Sequence, residues 1–183
     1  MTNYSKQTLI DNIAELTGTI HTDLQILLVE YPIPEQFWVA PASMSGRYHP
    51  QLSLGVGGLV RHTLMVMWWV TRWARFVDAT PLETQCAVVA AALHDTYKGG
   101  WADEWTTTVP EHPLIAAGQV EKLARNIDKL GLPDEAATTF RKVKCGIKTH
   151  MGVWSPDINV LDYETYNPEH IGSMNKIQKM VAL

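Results

Sequence analysis

CAVVAAALHDTYK (residues 86–98) reads as a buried apolar helix that ends in a polar pair, His94-Asp95. Unpaired ionisable groups are costly in apolar surroundings, so such a pair calls for a partner or a cation. The C-terminus of a helix carries partial negative charge and favours a bound cation. Lys98 follows about one turn later, on the same face as His94 and Asp95. Taken alone, such a dipeptide more often marks a capped helix end holding a hydrogen-bonded core histidine.

The neighbouring segments repeat the helical pattern. Residues 8–30 place Leu9, Ile13, Leu16, Ile20, Leu24, Leu27 and Leu28 at helical spacing. The prolines of YPIPEQFWVAPAS (residues 31–43) predict an extended connector. Residues 45–58 read as loop. Residues 59–77 read as a helix with apolar residues on more than one face, much of it buried, with Trp68, Trp69 and Trp73 in the core. Pro81 suits the first turn of the helix that runs to about Tyr97. Further helices are predicted over residues 112–130, capped by Gly131, over 134–149, and beginning at 168. Residues 98–111 and 152–167 are long, aromatic loops. No segment alternates like a strand, so the expected class is all-α.

The bulk numbers fit a soluble globular chain. It has 183 residues, 46 % hydrophobic and 19 % charged, with net charge −4. That charge gives no global basic field for nucleic acid. Cys86 and Cys145 form neither a zinc spacing nor a disulfide framework, and Cys86 reads as a small core residue. The N-terminus lacks the apolar block of a signal peptide, and the longest apolar stretch is interrupted by Arg61, His62, Arg72 and Arg75. The expectation is a cytoplasmic protein without a membrane partner; its oligomeric state is open.

Seven histidines punctuate the chain, and His62, His94, His112 and His150 each fall near a predicted helix end. Ends of several helices can converge on one point. GVGGLVRHT (residues 55–63) sets adjacent glycines before His62, where they permit a tight turn and a close approach of backbone or ligand. With GGLVRHT (57–63), AALHDTYK (91–98), EHP (111–113) and KTHMG (148–152) in this order, the chain resembles the HD-domain metal-dependent phosphohydrolases. APASMSGRYH (40–49) is similar to a segment preceding the GGL–H motif in a branch related to HD-domain 3′–5′ exoribonucleases. The likeness runs from about Ala40 to the C-terminus.

The resemblance implies an HD-domain helical bundle with long functional loops. Residues 1–39 would form an N-terminal helix and connector packed on an HD-type domain of residues 40–183, one globular unit in all. His62, His94 and Asp95 would be metal ligands, with Asp95 able to bridge two ions. His112 and His150 match the further ligands of dinuclear members, and Lys98 matches a lysine that approaches a substrate phosphate. The chain departs from the pattern in two places. Met151 stands where many members have a second histidine, and KMVAL (179–183) stops where a last-helix aspartate is expected. Asp157 is the nearest alternative acid; its other reading is a loop or cap residue after Pro156.

The implied cofactor is one or two divalent transition ions: Mn, Fe, Co, Ni or Zn. The implied reaction is hydrolysis, by a metal-bound hydroxide, of a phosphoester in a nucleotide or a nucleic-acid 3′ end. Asp95 and Lys98 would carry the catalysis. Lys98, Arg61, His49, Arg47 and Trp101 are the candidates for holding substrate. For Arg61 the alternative is a solvated surface arginine. For His49 it is a loop position. For Trp101, Trp105 and Trp154 it is packing of loops on the core rather than base stacking. His21 and His170 read as structural or exposed. Two other functions remain: a nucleotide phosphatase or triphosphohydrolase, and a non-catalytic metal- or nucleotide-binding regulatory module of the same fold.

Overall fold

The computed structural model describes residues 4–43, 45–46, 49–101, 107–151 and 176–181. Arg47, Trp105, Asp157, Trp154 and His170 lie outside these residues. The described chain is all-α.

Helix α1 (Lys6–Thr17) stops at Gly18, which takes the left-handed conformation at φ 76°. The single helix expected over residues 8–30 is therefore two. A left-handed residue breaks the right-handed path, and glycine adopts it at little cost. Helix α2 (Thr22–Glu30) starts where the His21 amide donates to the Gln85 side chain, at 2.8 Å. The proline-rich connector is mostly extended but contains a short helix, α3 (Glu35–Val39). A 3-10 turn at Gln51–Ser53 follows.

Helix α4 (Gly58–Phe76) is entered through Gly57 at φ 70°. Its first residue sits against backbone: a Cβ on Gly58 would overlap the Ser53 carbonyl oxygen and lie 2.6 Å from its carbon. The glycine pair is thus required by a turn and by a close approach, as its sequence suggests. Along α4, Leu59, Val60, Thr63, Met67, Val70 and Ala74 are buried. Trp68, Trp69 and Trp73, expected in the core, are instead half-exposed. A helix at the bundle's edge has one inward stripe, and that stripe is filled by smaller residues.

Helix α5 (Pro81–Leu93) is the central element, buried at every position from Gln85 to Leu93. It is surrounded by α1, α2, α4 and two later helices, α7 (Glu135–Thr149) and α8 (Lys176–Val181). Cys86 lies in this core. The start of α5 is fixed by a reciprocal cap. The Glu83 amide donates to Thr80 Oγ1 at 3.3 Å, and the Thr80 amide donates to Glu83 Oε2 at 2.9 Å. Thr80→Ala is expected to cost about 1 kcal/mol. Thermal melts should show this as a fall of about 2–4 °C.

Helix α6 (His112–Ala124) continues into a 3-10 turn, Ile127–Leu130, closed by left-handed Gly131. It packs on α7. Between α7 and α5 the contact is unusually close: a Cβ on Gly146 would stand 2.8 Å from Ala90 Cβ. His94 and His150 each lie four residues beyond this contact, at the C-caps of α5 and α7. The small pair thereby brings two helix C-termini, both partially negative, to one place.

Candidate metal centre

Four helices deliver one residue or pair each. His62 comes from the second turn of α4, His94-Asp95 from the end of α5, His112 from the start of α6, and His150 from the end of α7. Asp95 is at the middle, 3 % exposed. Its Oδ2 faces His94 Nε2 at 3.4 Å, His62 Nε2 at 3.7 Å and Lys98 Nζ at 2.6 Å. Its Oδ1 faces His112 Nε2 at 3.0 Å and His150 Nε2 at 3.5 Å. Two potential ligand triads result, His62–His94–Asp95 and Asp95–His112–His150, sharing one carboxylate.

Three rings are held by the same device. His94 Nδ1 meets the Ala91 carbonyl at 2.6 Å, His112 Nδ1 the Val109 carbonyl at 2.7 Å, and His150 Nδ1 the Ile147 carbonyl at 2.8 Å. A carbonyl only accepts, so each Nδ1 carries the proton and each ring turns its Nε2 inward, a lone pair wherever the ring is neutral. At the ends of α5 and α7 these carbonyls belong to the last turn, beyond the regular helical ladder; that of Ile147 also accepts the His150 amide at 3.4 Å.

The inward lone pairs create a problem that a cation resolves. His112 Nε2 and His150 Nε2 are 3.2 Å apart, so two lone pairs face each other unless a proton or a positive ion lies between them. Donor atoms around a transition ion at about 2.0–2.2 Å stand roughly 3 Å or slightly more from one another. The separations around Asp95 fall near that range. Nitrogen and carboxylate oxygen together suit Mn, Fe, Co, Ni or Zn.

The electrostatics keep His62, His150 and Asp95 in their ligand forms. Burial, reinforced by neighbouring His94, pushes the His62 imidazole down to about 3. Burial likewise pushes His150 down to about 4, against the opposing effect of the nearby Asp95 carboxylate. For Asp95, burial pushes the carboxyl upward. Neighbouring His94 and Lys98, with His112 and His150 close by, outweigh burial and hold it well below the usual range. Both imidazoles are thus neutral and the carboxylate ionised at neutral pH.

These shifts make the metal-free protein acid-labile. In the unfolded chain the two histidines take up protons near pH 6.5, while the folded forms resist until about 3 and 4. The unfolded state therefore binds more protons as pH falls through that window, and stability declines with it. Melting temperatures measured in EDTA should fall steadily from pH 7 to pH 5.

The other expected site residues fare differently. His49 joins the cluster: its ring is 4.8 Å from that of His62. Burial and nearby Lys98 push it down from its ordinary value. The Nδ1 atoms of His49 and His62, with Ser53 Oγ and Thr63 Oγ1, are buried without a hydrogen-bond partner among the described residues. Arg61 donates to the carbonyls of Leu52, Leu54 and Val56 at 2.6–2.9 Å. Its guanidinium closes the glycine-rich loop rather than standing free for substrate. Trp101 packs on Tyr97 with ring centroids 5.0 Å apart, and Lys122 Nζ lies over the Trp101 ring, 5.6 Å from its centre.

One supporting residue had no local signal in the sequence. Tyr31 is fully buried, its hydroxyl 3.0 Å from Thr96 Oγ1 and donating to the Ala116 carbonyl at 3.2 Å. It ties the residue after Asp95 to α6 across 65 positions of chain. Comparisons with protein-family models, curated proteins and solved structures return no match.

Proposed function

We propose that the chain is a metal-dependent phosphohydrolase of the HD type. One or two divalent transition ions would be held by His62, His94, Asp95, His112 and His150. The observation that carries this reading is the division of the Asp95 carboxylate between two histidine sets, with a lysine 2.6 Å from one oxygen. When bound, such ions lower the pKa of water to about 7 and polarise a phosphoryl oxygen.

The chain's own groups have separate tasks. The tethered imidazoles fix the donor positions. Asp95 holds both halves in one electrostatic unit. Lys98, 8 % exposed, neutralises the carboxylate and is the cation beside the place a phosphate oxygen would take. His49, at the edge of the His62 ring, is the next polar group outward. A phosphoester of a nucleotide or nucleic-acid 3′ end is the proposed substrate class.

Lys98→Met should preserve most of the bound metal yet lower turnover by about a hundredfold, as loss of one charge-stabilising group does. Metal analysis alongside rate measurement separates the two effects. The reading itself is tested with purified protein loaded with Mn²⁺ and given bis-p-nitrophenyl phosphate, mononucleotides and short oligonucleotides. Release of nitrophenol or phosphate, abolished by EDTA and restored by metal, supports it. Metal binding without turnover of any of these would favour the regulatory module. Release of phosphate from mononucleotides alone would favour a nucleotidase.

A further inference from the structure

Four large aromatic side chains stand on the outer face of α4. Trp68, Trp69, Trp73 and Phe76 are 40 %, 48 %, 42 % and 79 % exposed. Their spacing places them along one side of the helix, opposite Met67, Val70 and Ala74, which are buried. Trp68 and Trp69 meet edge to face at 4.8 Å, and the Trp73 and Phe76 rings are tilted at 5.7 Å. The Arg72 guanidinium lies 4.6 Å from the centre of the Trp68 ring. Large contiguous apolar patches on soluble proteins mark contacts with something else.

The charges narrow what that is. The charged side chains beside these rings on α4 are Arg72 and Arg75, and the helix has no acidic residue, in a protein of net charge −4. Pairing of this face with itself in a second copy would set Arg72 and Arg75 against like charges. A single-stranded polynucleotide needs open ring faces, and here the rings abut one another and Arg72 covers Trp68. Tryptophan and phenylalanine at one level, with arginines among them, match the headgroup region of a bilayer. None of the described helices is long and apolar enough to cross a membrane, so such a contact is peripheral.

We propose that the outer face of α4, through Trp68, Trp69, Trp73, Phe76, Arg72 and Arg75, docks on an anionic lipid surface. Aromatic rings enter the boundary between headgroups and chains, and the arginines meet lipid phosphates. This contact is independent of the reaction at the metal centre.

The experiment is flotation of the full chain with phosphatidylcholine vesicles, with and without phosphatidylglycerol, at low and high salt. The protein should float with the anionic vesicles, less so at high salt, and brominated acyl chains should quench its tryptophan fluorescence. Trp69→Ser with Trp73→Ser should weaken partitioning by about tenfold or more, and Arg72→Gln with Arg75→Gln by a similar factor. Far-UV circular dichroism and metal content report whether each variant keeps its fold. If the tryptophan pair fails to fold, the arginine pair and the bromolipid quenching decide. Wild-type protein that stays off anionic vesicles overturns the proposal, as do folded variants that bind them undiminished. So does a patch whose substitutions instead abolish dimerisation in sedimentation velocity, or binding of a single-stranded oligonucleotide or an acidic helical peptide, without any effect on vesicles.

Discussion

Asp95→Asn should empty both halves of the cluster at once. The carboxylate supplies one oxygen to the His62–His94 side and the other to the His112–His150 side. An amide is a poor ligand, and its NH₂, where it faced Lys98, would set donor against donor. Bound metal, measured by atomic emission, should fall to background. Hydrolysis of a model phosphodiester should fall by at least about a thousandfold. His112→Asn touches one triad only, and should remove one ion of a two-ion site while leaving the other. If Asp95→Asn keeps its metal and its rate, both the shared carboxylate and the proposed reaction are wrong. The substitution also strands Lys98, buried and without its carboxylate. Breaking one side of a buried pair costs about 3–5 kcal/mol, so melts of the chelated protein should register the loss as well.

Gly58→Ala should be the most damaging small substitution outside the cluster. The added methyl meets backbone, the Ser53 carbonyl, with Pro41 Cα a further 3.2 Å contact. A flexible side chain could rotate aside; a carbonyl between two hydrogen-bonded segments moves only with its loop. That loop is held by Arg61 through three carbonyls and by the Ala42 amide donating to Ser53 at 2.9 Å. Overpacking of this kind costs about 1–3 kcal/mol and occasionally more. A fall of roughly 5–10 °C in melting temperature is expected for a chain of this size. Because His62 is four residues further along α4, metal affinity should weaken too. Gly118→Ala makes the control, since a Cβ there meets nothing within 4 Å. Equal melting temperatures for the two variants would refute the close-approach argument.

Much of the architecture was legible because hydrophobic spacing is a local signal. The run from Cys86 to Leu93 is apolar on every side, and α5 is buried on every side. The end of α7 was readable for the same reason; α5, expected to run to about Tyr97, stops at Leu93, so that His94 caps it. The break at Gly18 was less visible, since leucine and isoleucine spacing continues across it while the backbone conformation changes. The three tryptophans of α4 were misplaced because mid-helix position says nothing about which side faces the bundle. Inward positions on that helix went to valine, methionine and alanine. Arg61 was legible as a cation but not as a clamp. Three carbonyls left open by a glycine-rich turn recruit it, and that demand exists only once the turn has formed. Tyr31 and Thr96 meet across so much chain that neither carries a local sign of the other.

The carbonyl tethers on His94, His112 and His150 bear on how an ion would arrive. A ring whose Nδ1 is already fixed has little torsional freedom left to surrender when Nε2 gains a ligand. Zinc fingers assemble their donors as they fold, so that uptake and folding are a single event. Here the tethering carbonyls belong to helix ends and turns set by the apolar core, so protein contacts fix the rings. Uptake would then resemble the docking of a small rigid ligand, with little change in heat capacity and with exchange of one ion for another leaving the backbone as it was.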